Sequence, residues 1–437
     1  MKLLLLMPDA RIHRLKLGPF CMSFREAPLT MTTLAALTPT DVDAEITLID
    51  ESIQRVPKNK NFDLVAISCL TGTALRAYEW ARHFRERGAV VVLGGIHVTL
   101  CPEEAAQHAD AIMTGFSEFT WPQMIRDFAA GALNPRYDGG RGDVTRLPSP
   151  RRDLQKRFAY AMPNTVCATR GCGCDCSFCS IPAADYGWQT RPIDHVIDEI
   201  RLLPARRFTF NDVNLLQDRD YALELLNALT PLHKKWGGLA TVDTAEDPEL
   251  LNALQKAGCQ YLLCGFESLS SASLSSINKG FNQIGDYKKS MEAFHAHGIS
   301  IQGCFIFGLD DDHHDIFEHT VEAVNELKVD IPRYAISTPY PGTKLFQRLE
   351  QEGRLLHKHW THYDTQHVVF QPTHMSPKEL DAGFRKAYAQ TFRTNAIRAR
   401  TISSPHPLIT YIGNLAYRRY LKRLNNDQER IYSGAKR

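Results

Sequence analysis

The sequence predicts an α/β protein, with a doubly wound parallel sheet first, a partial (β/α) barrel second and a helical C-terminal region third. Three observations carry this prediction. Short apolar runs alternate with helical patterns through the first part of the chain. The alternation resumes after residue 180, now with polar residues closing the apolar runs. From Arg393 onward a basic stretch of helical pattern takes over. The segments expected on this basis are 1–145, 146–330 and 331–437.

In the first segment, residues 2–7, 46–49, 64–67, 90–93 and 111–113 each read as a buried strand. Residues 74–87, carrying Leu75, Tyr78, Trp80 and Phe84, read as a helix between two of them. Strand, helix and strand in regular order imply a parallel sheet covered on both faces. Such sheets bind ligands beyond the carboxyl ends of their strands. Two loops lie there: Ser68-Cys69-Leu70, and Gly94-Gly95-Ile96-His97. Taken alone, the glycine pair is a tight turn.

Length, charge and thiols narrow the class. At 437 residues the chain is long enough for two or three domains with substantial cores. A net charge of +2 predicts no nucleic-acid partner. No apolar run approaches the ~18 residues that would span a bilayer. The start reaches Pro8 and Asp9 too soon for a signal-peptide core and reads as a buried first strand. Eleven cysteines in a chain read as lacking an export signal point to metal or redox use over disulfides, and to a cytoplasmic location.

Five of those cysteines lie in CATRGCGCDCSFCS, residues 167–180. The spacing Cys172-x3-Cys176-x2-Cys179 wraps a short loop around one face of an iron–sulfur cube. Three thiolates bind three irons, and the fourth iron stays open to chelate the amino and carboxylate groups of S-adenosylmethionine (SAM). One electron from the cluster then breaks a sulfur–carbon bond, giving methionine and a 5′-deoxyadenosyl radical. The competing reading is a structural zinc knot using four of the five thiols. Zinc sites usually come as two separated Cys-x2-Cys pairs, and no second pair exists here. Gly171 and Gly173 suit a loop whose backbone passes close to the cluster, and Cys167 reads as core.

With Arg170-Gly171 and Ser177-Phe178 flanking it, this stretch resembles the radical SAM superfamily. Ser68-Cys69-Leu70 with Gly94-Gly95 resembles two of the three signatures of cobalamin-binding domains. The third, Asp-x-His-x-x-Gly, is missing, since Asp9, His13 and Gly18 have the wrong spacing. The expected cobalt therefore lacks a histidine from this protein. Gly115-Phe116-Ser117-Glu118 stands where relatives usually show Gly-Glu-x-Glu. The resemblance continues through residues 338–343, 352–355 and 360–372, so that the chain to about residue 392 is similar to the cobalamin-binding radical SAM group. That group includes hopanoid methylases and related class B methyltransferases.

The resemblance implies a 4Fe–4S cluster on Cys172, Cys176 and Cys179, with SAM and cobalamin as further cofactors. It places Phe178 against the adenine and Asp212 near the methionine end of SAM or the substrate. Glu267 and Ser268 fall near the methionine carboxylate or ribose, and residues 303–308 near the adenine. Ser68, Leu70, Gly94, Gly95, His97, Gly115 and Glu118 would serve cobalamin. Relatives commonly have Pro and an aromatic where this chain has Gly173 and Cys174. Cys174 is thus a filler, an extra thiol near the cluster or a substrate contact. The run Asp310–His314, DDDHH, reads as a solvated loop and helix start, because consecutive residues rarely converge on one ion.

The leading function implied is methyl transfer to an unactivated carbon of a lipid or natural-product-like substrate, with an electron donor such as flavodoxin or ferredoxin. The alternative is radical oxidation, cyclisation or rearrangement, with cobalamin in a non-methylating role or absent. A non-catalytic cobalamin or iron–sulfur sensor is a second alternative. Methylthio transfer is disfavoured, because Cys21, Cys69 and Cys101 are too scattered for a second cluster. From Arg393 the tail holds ten Lys and Arg against Asp427 and Glu429, a net +8 that leaves −6 for the rest. Residues 408–423 mix aromatic, aliphatic and basic side chains, which suits a helix packed on the barrel or one in peripheral contact with an acidic membrane.

Overall fold

Six parallel strands open the chain in a computed structural model that describes residues 1–9, 14–17 and 20–432. His13, Gly18 and the last five residues of the tail lie outside the described residues, as does the side chain of Cys21. The chain divides into two units. The first is Met1–Gln217 with Pro339–Gly353 and Lys358–Asp364; the second is Asp218–Thr338 with Arg354–His357 and Thr365–Arg437.

In the first unit the strands lie in the order Glu45–Asp50, Lys2–Met7, Leu64–Ser68, Val90–Gly94, Ala111–Thr114 and Arg136–Asp138. The five strands expected from the sequence are all present, and Arg136–Asp138 is an addition. Period-two alternation sends Leu3, Leu5, Leu64 and Val92 to one face, against Met31, Leu34, Trp121 and Met124 from helices Thr30–Leu37 and Trp121–Ala129. Helix Ala74–Arg85, with Ala77, Trp80, Ala81 and Phe84 buried, also packs on the sheet, so the sheet is doubly wound. Counted along the sheet, the first strand lies between the second and the third. That is the doubly wound order with a switch point beside the third strand, at whose carboxyl end Ser68 stands.

The same unit carries the cysteine stretch. Thr165–Val166 pairs in parallel with Arg207–Phe210. A short antiparallel hairpin, Thr169–Gly171 with Trp188–Thr190, closes the base of the cysteine loop.

The second unit contributes four parallel strands to the partial barrel: Lys235–Ala240, Cys259–Glu267, Ser300–Phe307 and Ile331–Ile336. Helices Pro248–Lys256, Tyr287–Ala296 and Ile316–Glu326 alternate with them. Phe266, Phe305, Phe307 and Tyr334 turn to the helix side and stack with Tyr287, Phe317, Phe384 and Tyr388. Two of these strands were not anticipated from the sequence. Lys235–Ala240 contains two glycines and Ile331–Ile336 a proline and an arginine, so neither reads as an apolar run.

The tail forms helices Thr394–Ser403 and Pro407–Tyr432. Its inner face is packed: Arg400 donates to Asn414 Oδ1 at 2.9 Å and to the Thr391 carbonyl at 2.6 Å, and Asn414 donates to the Asp330 carbonyl. Among the described residues no helix is long and apolar enough to cross a membrane.

Candidate functional site

The loop from Cys172 to Gly187 is held at its neck by backbone. The Cys172 N–H donates to the Gly187 carbonyl at 2.8 Å, and Gly171 sits at φ +77° against that same carbonyl, where a Cβ would overlap it. Gly171 is therefore required by its hairpin partner. Gly173 is backed by Gln217, whose Oε1 accepts its N–H at 2.7 Å. Beyond the neck Cys172, Cys176, Phe178 and Cys179 are all half-exposed. The Cys179 N–H donates to the Cys176 carbonyl, which tightens the last turn and brings the two ends of the x2 spacing together. Lys344 pairs with Asp175 and the Leu345 N–H donates to Ser177, so a helix start is pinned to the loop.

Donors already point at the sulfurs. The Cys174 N–H lies 3.4 Å from Cys172 Sγ, and Asn214 Nδ2 lies 3.8 Å from Cys172 Sγ and 3.9 Å from Cys174 Sγ. Such donors favour a thiolate, the form that binds iron. The shared Asn214 also brings Cys174 beside a candidate ligand. Cys167 is buried, donates to the Thr169 carbonyl at 3.0 Å and has its thiol pushed up to about 12 by burial, all of which suit the core. Among the described residues no three His, Cys, Asp or Glu side chains are grouped around one ion position.

Asp212 ties the loop to the strand behind it. At 1% exposure its Oδ1 accepts from the Ala168 N–H at 2.9 Å, from Thr169 Oγ1 at 2.8 Å and from the Thr169 N–H. Among the described residues its buried Oδ2 has no hydrogen-bond partner. Burial pushes this carboxyl up to about 6, against the pull of those donors. An orphaned buried oxygen costs free energy unless a ligand completes it, so Asp212 could meet a donor on SAM or substrate.

At the sheet end Ser68 and Gly94 are adjacent in register, and Leu70 beyond them is 48% exposed. A Cβ on Gly94 would meet nothing closer than Ser117 Oγ at 3.5 Å, an ordinary contact, and Gly94 is itself half-exposed. Gly95 differs. It has φ +102°, and a Cβ would stand 2.6 Å from the Cys69 carbonyl oxygen. His97 has no exposed surface: its Nδ1 is 3.3 Å from Thr71 Oγ1, its Nε2 3.2 Å from the Tyr78 hydroxyl, and the Trp360 ring crosses it edge-on. The structure thus gives His97 a network that fixes the loop, while Ser68, Leu70 and Gly94 present the open surface that could hold cobalamin.

Gly115 and Glu118 also answer to the protein. A Cβ on Gly115, at φ +65°, would lie 2.5 Å from Gly140 N. Glu118 accepts from Arg170 Nη2 at 3.0 Å, and Phe116 stacks on Tyr186 with centroids 4.5 Å apart. Arg170 and Tyr186 flank the two ends of the cysteine loop. The loop after the fifth strand of the sheet is therefore bolted to the loop that carries the thiols, within one unit.

In the second unit Glu267 closes its strand at φ +64°, past a register break between Gly265 and Glu267. Its carboxylate pairs with buried Lys279 at 2.5 Å, and Lys279 and Asn282 both donate to the Gly265 carbonyl. Backbone strain of this sort costs about 1–3 kcal/mol and gathers at functional sites. Lys279 was not found from the sequence, because nothing local joins it to a strand end twelve residues earlier. Ser268 is buried beside it and accepts the Ser270 N–H. The DDDHH run is more built-in than a solvated loop. Asp310 pairs with Arg354, and Asp312 is buried and accepts from the Gly308 and Leu309 N–H groups.

Comparison with known proteins accords with these two loops. Residues 166–324 match the radical SAM superfamily, 29–123 the B12 binding domain and 343–407 a domain of unknown function (DUF4070). The chain is 30% identical to bacteriochlorophyllide d C-12(1)-methyltransferase of Chlorobaculum tepidum, over 91% of this chain and 89% of that one. It is 25% identical to hopanoid C-2 methylase of Rhodopseudomonas palustris, over 76% and 65% respectively. In fold it resembles the radical SAM methyltransferase TsrM of Kitasatospora setae, solved with cobalamin and a 4Fe–4S cluster, at TM-score 0.65 and 17% identity over 80% of this chain and 75% of that one. A radical SAM domain implies the cluster and SAM, and a B12 binding domain implies cobalamin; the half-exposed thiol set and the open Gly94 cradle fit both. The chain belongs to the cobalamin-binding radical SAM enzymes, the family that contains the bacteriochlorophyllide and hopanoid methylases.

Proposed function

We propose that this enzyme transfers a methyl group from SAM to an unactivated carbon of a tetrapyrrole or similarly apolar natural product. One observation carries the reading: the Phe116–Tyr186 stack and the Glu118–Arg170 pair join a sheet-end loop of the B12-type domain to the loop holding Cys172, Cys176 and Cys179. Bound together, the cluster and cobalamin supply radical generation and methyl carriage. Cys172, Cys176 and Cys179 hold the cluster, Asn214 and the Cys174 N–H hold the Cys172 thiolate, and Asp212 Oδ2 takes a donor from SAM or substrate. Ser68, Leu70 and Gly94 line the cobalamin face, while His97, Gly115 and Glu118 keep that face in place. Phe178, Glu267 and Ser268 serve SAM.

The substrate class rests on the bacteriochlorophyllide methyltransferase likeness over nine-tenths of both chains. The experiment is mass spectrometry after anaerobic incubation of reconstituted protein with reductant and methyl-labelled SAM. Bacteriochlorophyllide d should gain one labelled methyl; label appearing in a hopanoid instead would reassign the substrate.

The segments 1–145, 146–330 and 331–437 then serve as cobalamin, radical and C-terminal regions of a cytoplasmic enzyme, with flavodoxin or ferredoxin as electron donor. We also place the tail at the membrane surface. Leu408, Tyr411, Ile412 and Leu415 follow helical spacing on the outer face of Pro407–Tyr432 and are all exposed, Leu408 at 70%. Arg418 and Arg419 follow them. An apolar stripe edged with cations suits an anionic lipid surface. The intact protein should float with vesicles containing anionic lipid, less so as salt rises, and a chain lacking residues 406–437 should not. Equal flotation by the truncated chain would remove the tail from that role.

A further inference from the structure

Arg333 stands on the inner face of the second unit's strands, opposite Cys304 in register. The helix side of these strands is closed by Leu262, Phe266, Phe305, Phe307 and Tyr334, all buried. The inner side is not. Leu239, Leu263, Cys304, Ile306, Arg333 and Ala335 alternate with them and keep part of their surface open. At the amino end this surface is closed by a polar chain in which Tyr261 meets Gln302, and Gln302 Nε2 donates to the Tyr417 hydroxyl at 2.8 Å.

What surrounds the guanidinium matters most. Burial works against its charge, and its neighbours are the hydroxyls of Tyr417, Tyr388 and Tyr420 and the thiol of Cys304, none of them an acid. Among the described residues none forms an ion pair with it, and Glu267, the acid at the carboxyl end of the neighbouring strand, is already neutralised by Lys279. Arginine stays charged at any physiological pH, and its planar fork matches a carboxylate with two parallel hydrogen bonds. An apolar wall with one uncompensated cation is the lining expected for a ligand with an apolar body and a single acidic group.

We propose that Arg333 anchors a carboxylate on the substrate, so that the enzyme selects an apolar molecule bearing an acidic side chain. This rests on the methyltransferase reading above. The position favours the substrate over SAM. Arg333 lies three residues before the end of its strand, roughly 10 Å below the carboxyl end at ~3.3 Å per residue. The SAM carboxylate is engaged by the open iron in that reading, and Glu267 and Ser268 lie at the strand end itself.

The test uses the reconstituted protein and two probes, bacteriochlorophyllide d with its free carboxylate and the same molecule as its methyl ester. Binding is followed by absorbance, without turnover. The wild type should bind the acid about 100-fold more tightly than the ester, as expected for a lost charge-assisted pair. Arg333→Gln should bind both like the ester, and Arg333→Lys should keep a reduced preference for the acid. Because no described residue forms an ion pair with the buried charge, Arg333→Gln should unfold at no lower temperature than wild type, which separates lost recognition from lost fold. Wild-type protein that binds acid and ester alike, or neither, overturns the anchor. A rise in the KM for SAM as large as the loss of acid binding would give the anion to SAM and overturn it too. Formation of 5′-deoxyadenosine and S-adenosylhomocysteine by the wild type without either probe reads the underlying function separately.

Discussion

Replacing any one of Cys172, Cys176 and Cys179 with Ala is expected to reduce 5′-deoxyadenosine formation to the uncatalysed background. Each thiolate binds its own iron, so two remaining ligands leave a second iron open and the cube falls apart. The loop itself should survive, because its neck is held by the Cys172 N–H to Gly187 and by the Thr169–Gly171 hairpin, neither of which uses a thiol. Cys167→Ala should keep the cluster, since that sulfur is buried and turned to the Thr169 carbonyl. Cys174→Ala should keep it as well, although Asn214 then has one sulfur neighbour instead of two and the cluster spectrum should shift. Iron content and absorbance after anaerobic reconstitution read each variant. A Cys174→Ala protein unable to assemble a cluster would show that the ligand set is wrong.

Gly94→Val is expected to abolish cobalamin binding and methyl transfer while 5′-deoxyadenosine still forms, uncoupled from product. The backbone tolerates a Cβ at this position, with Ser117 Oγ at 3.5 Å and Met113 Cβ at 3.7 Å, so the branches of valine project into the open space beyond the strand. Gly95→Val separates fold from cofactor. Its Cβ would meet the Cys69 backbone at 2.6 Å and 2.9 Å, in a backbone region that disfavours side chains. That variant should lose about 1–3 kcal/mol of stability whether or not cobalamin is present. Cobalamin retained after gel filtration, together with denaturant midpoints, distinguishes the two. A Gly94→Val protein that keeps its cobalamin would move the binding surface elsewhere.

Much of this site was legible because its signals are local. Cys172, Cys176 and Cys179 fall within eight residues, and Ser68 and Gly94 end apolar runs that could only be buried strands. The same local reading placed His97, Gly115 and Gly171 near a cofactor, and each also meets protein: a buried network, the Gly140 backbone and the Gly187 carbonyl. A glycine at positive φ looks the same in sequence whether a ligand or a neighbouring turn demands it. Partners far apart in the chain were invisible. Glu118 and Arg170 are 52 residues apart, and each alone reads as a surface charge. Arg333 was hidden by its strand, where Pro332 and the arginine break the apolar pattern that identifies the other strands. Its meaning comes only from the side of the sheet it occupies.

The most direct test of cobalamin-dependent methyl transfer is a count of products from one reaction, run with and without added cobalamin on cobalamin-free protein. With cobalamin, each methylated product should be matched by one 5′-deoxyadenosine and one S-adenosylhomocysteine; without it, methylated product and S-adenosylhomocysteine should both vanish while 5′-deoxyadenosine persists. Full turnover of substrate without cobalamin, forming no S-adenosylhomocysteine, would contradict the account.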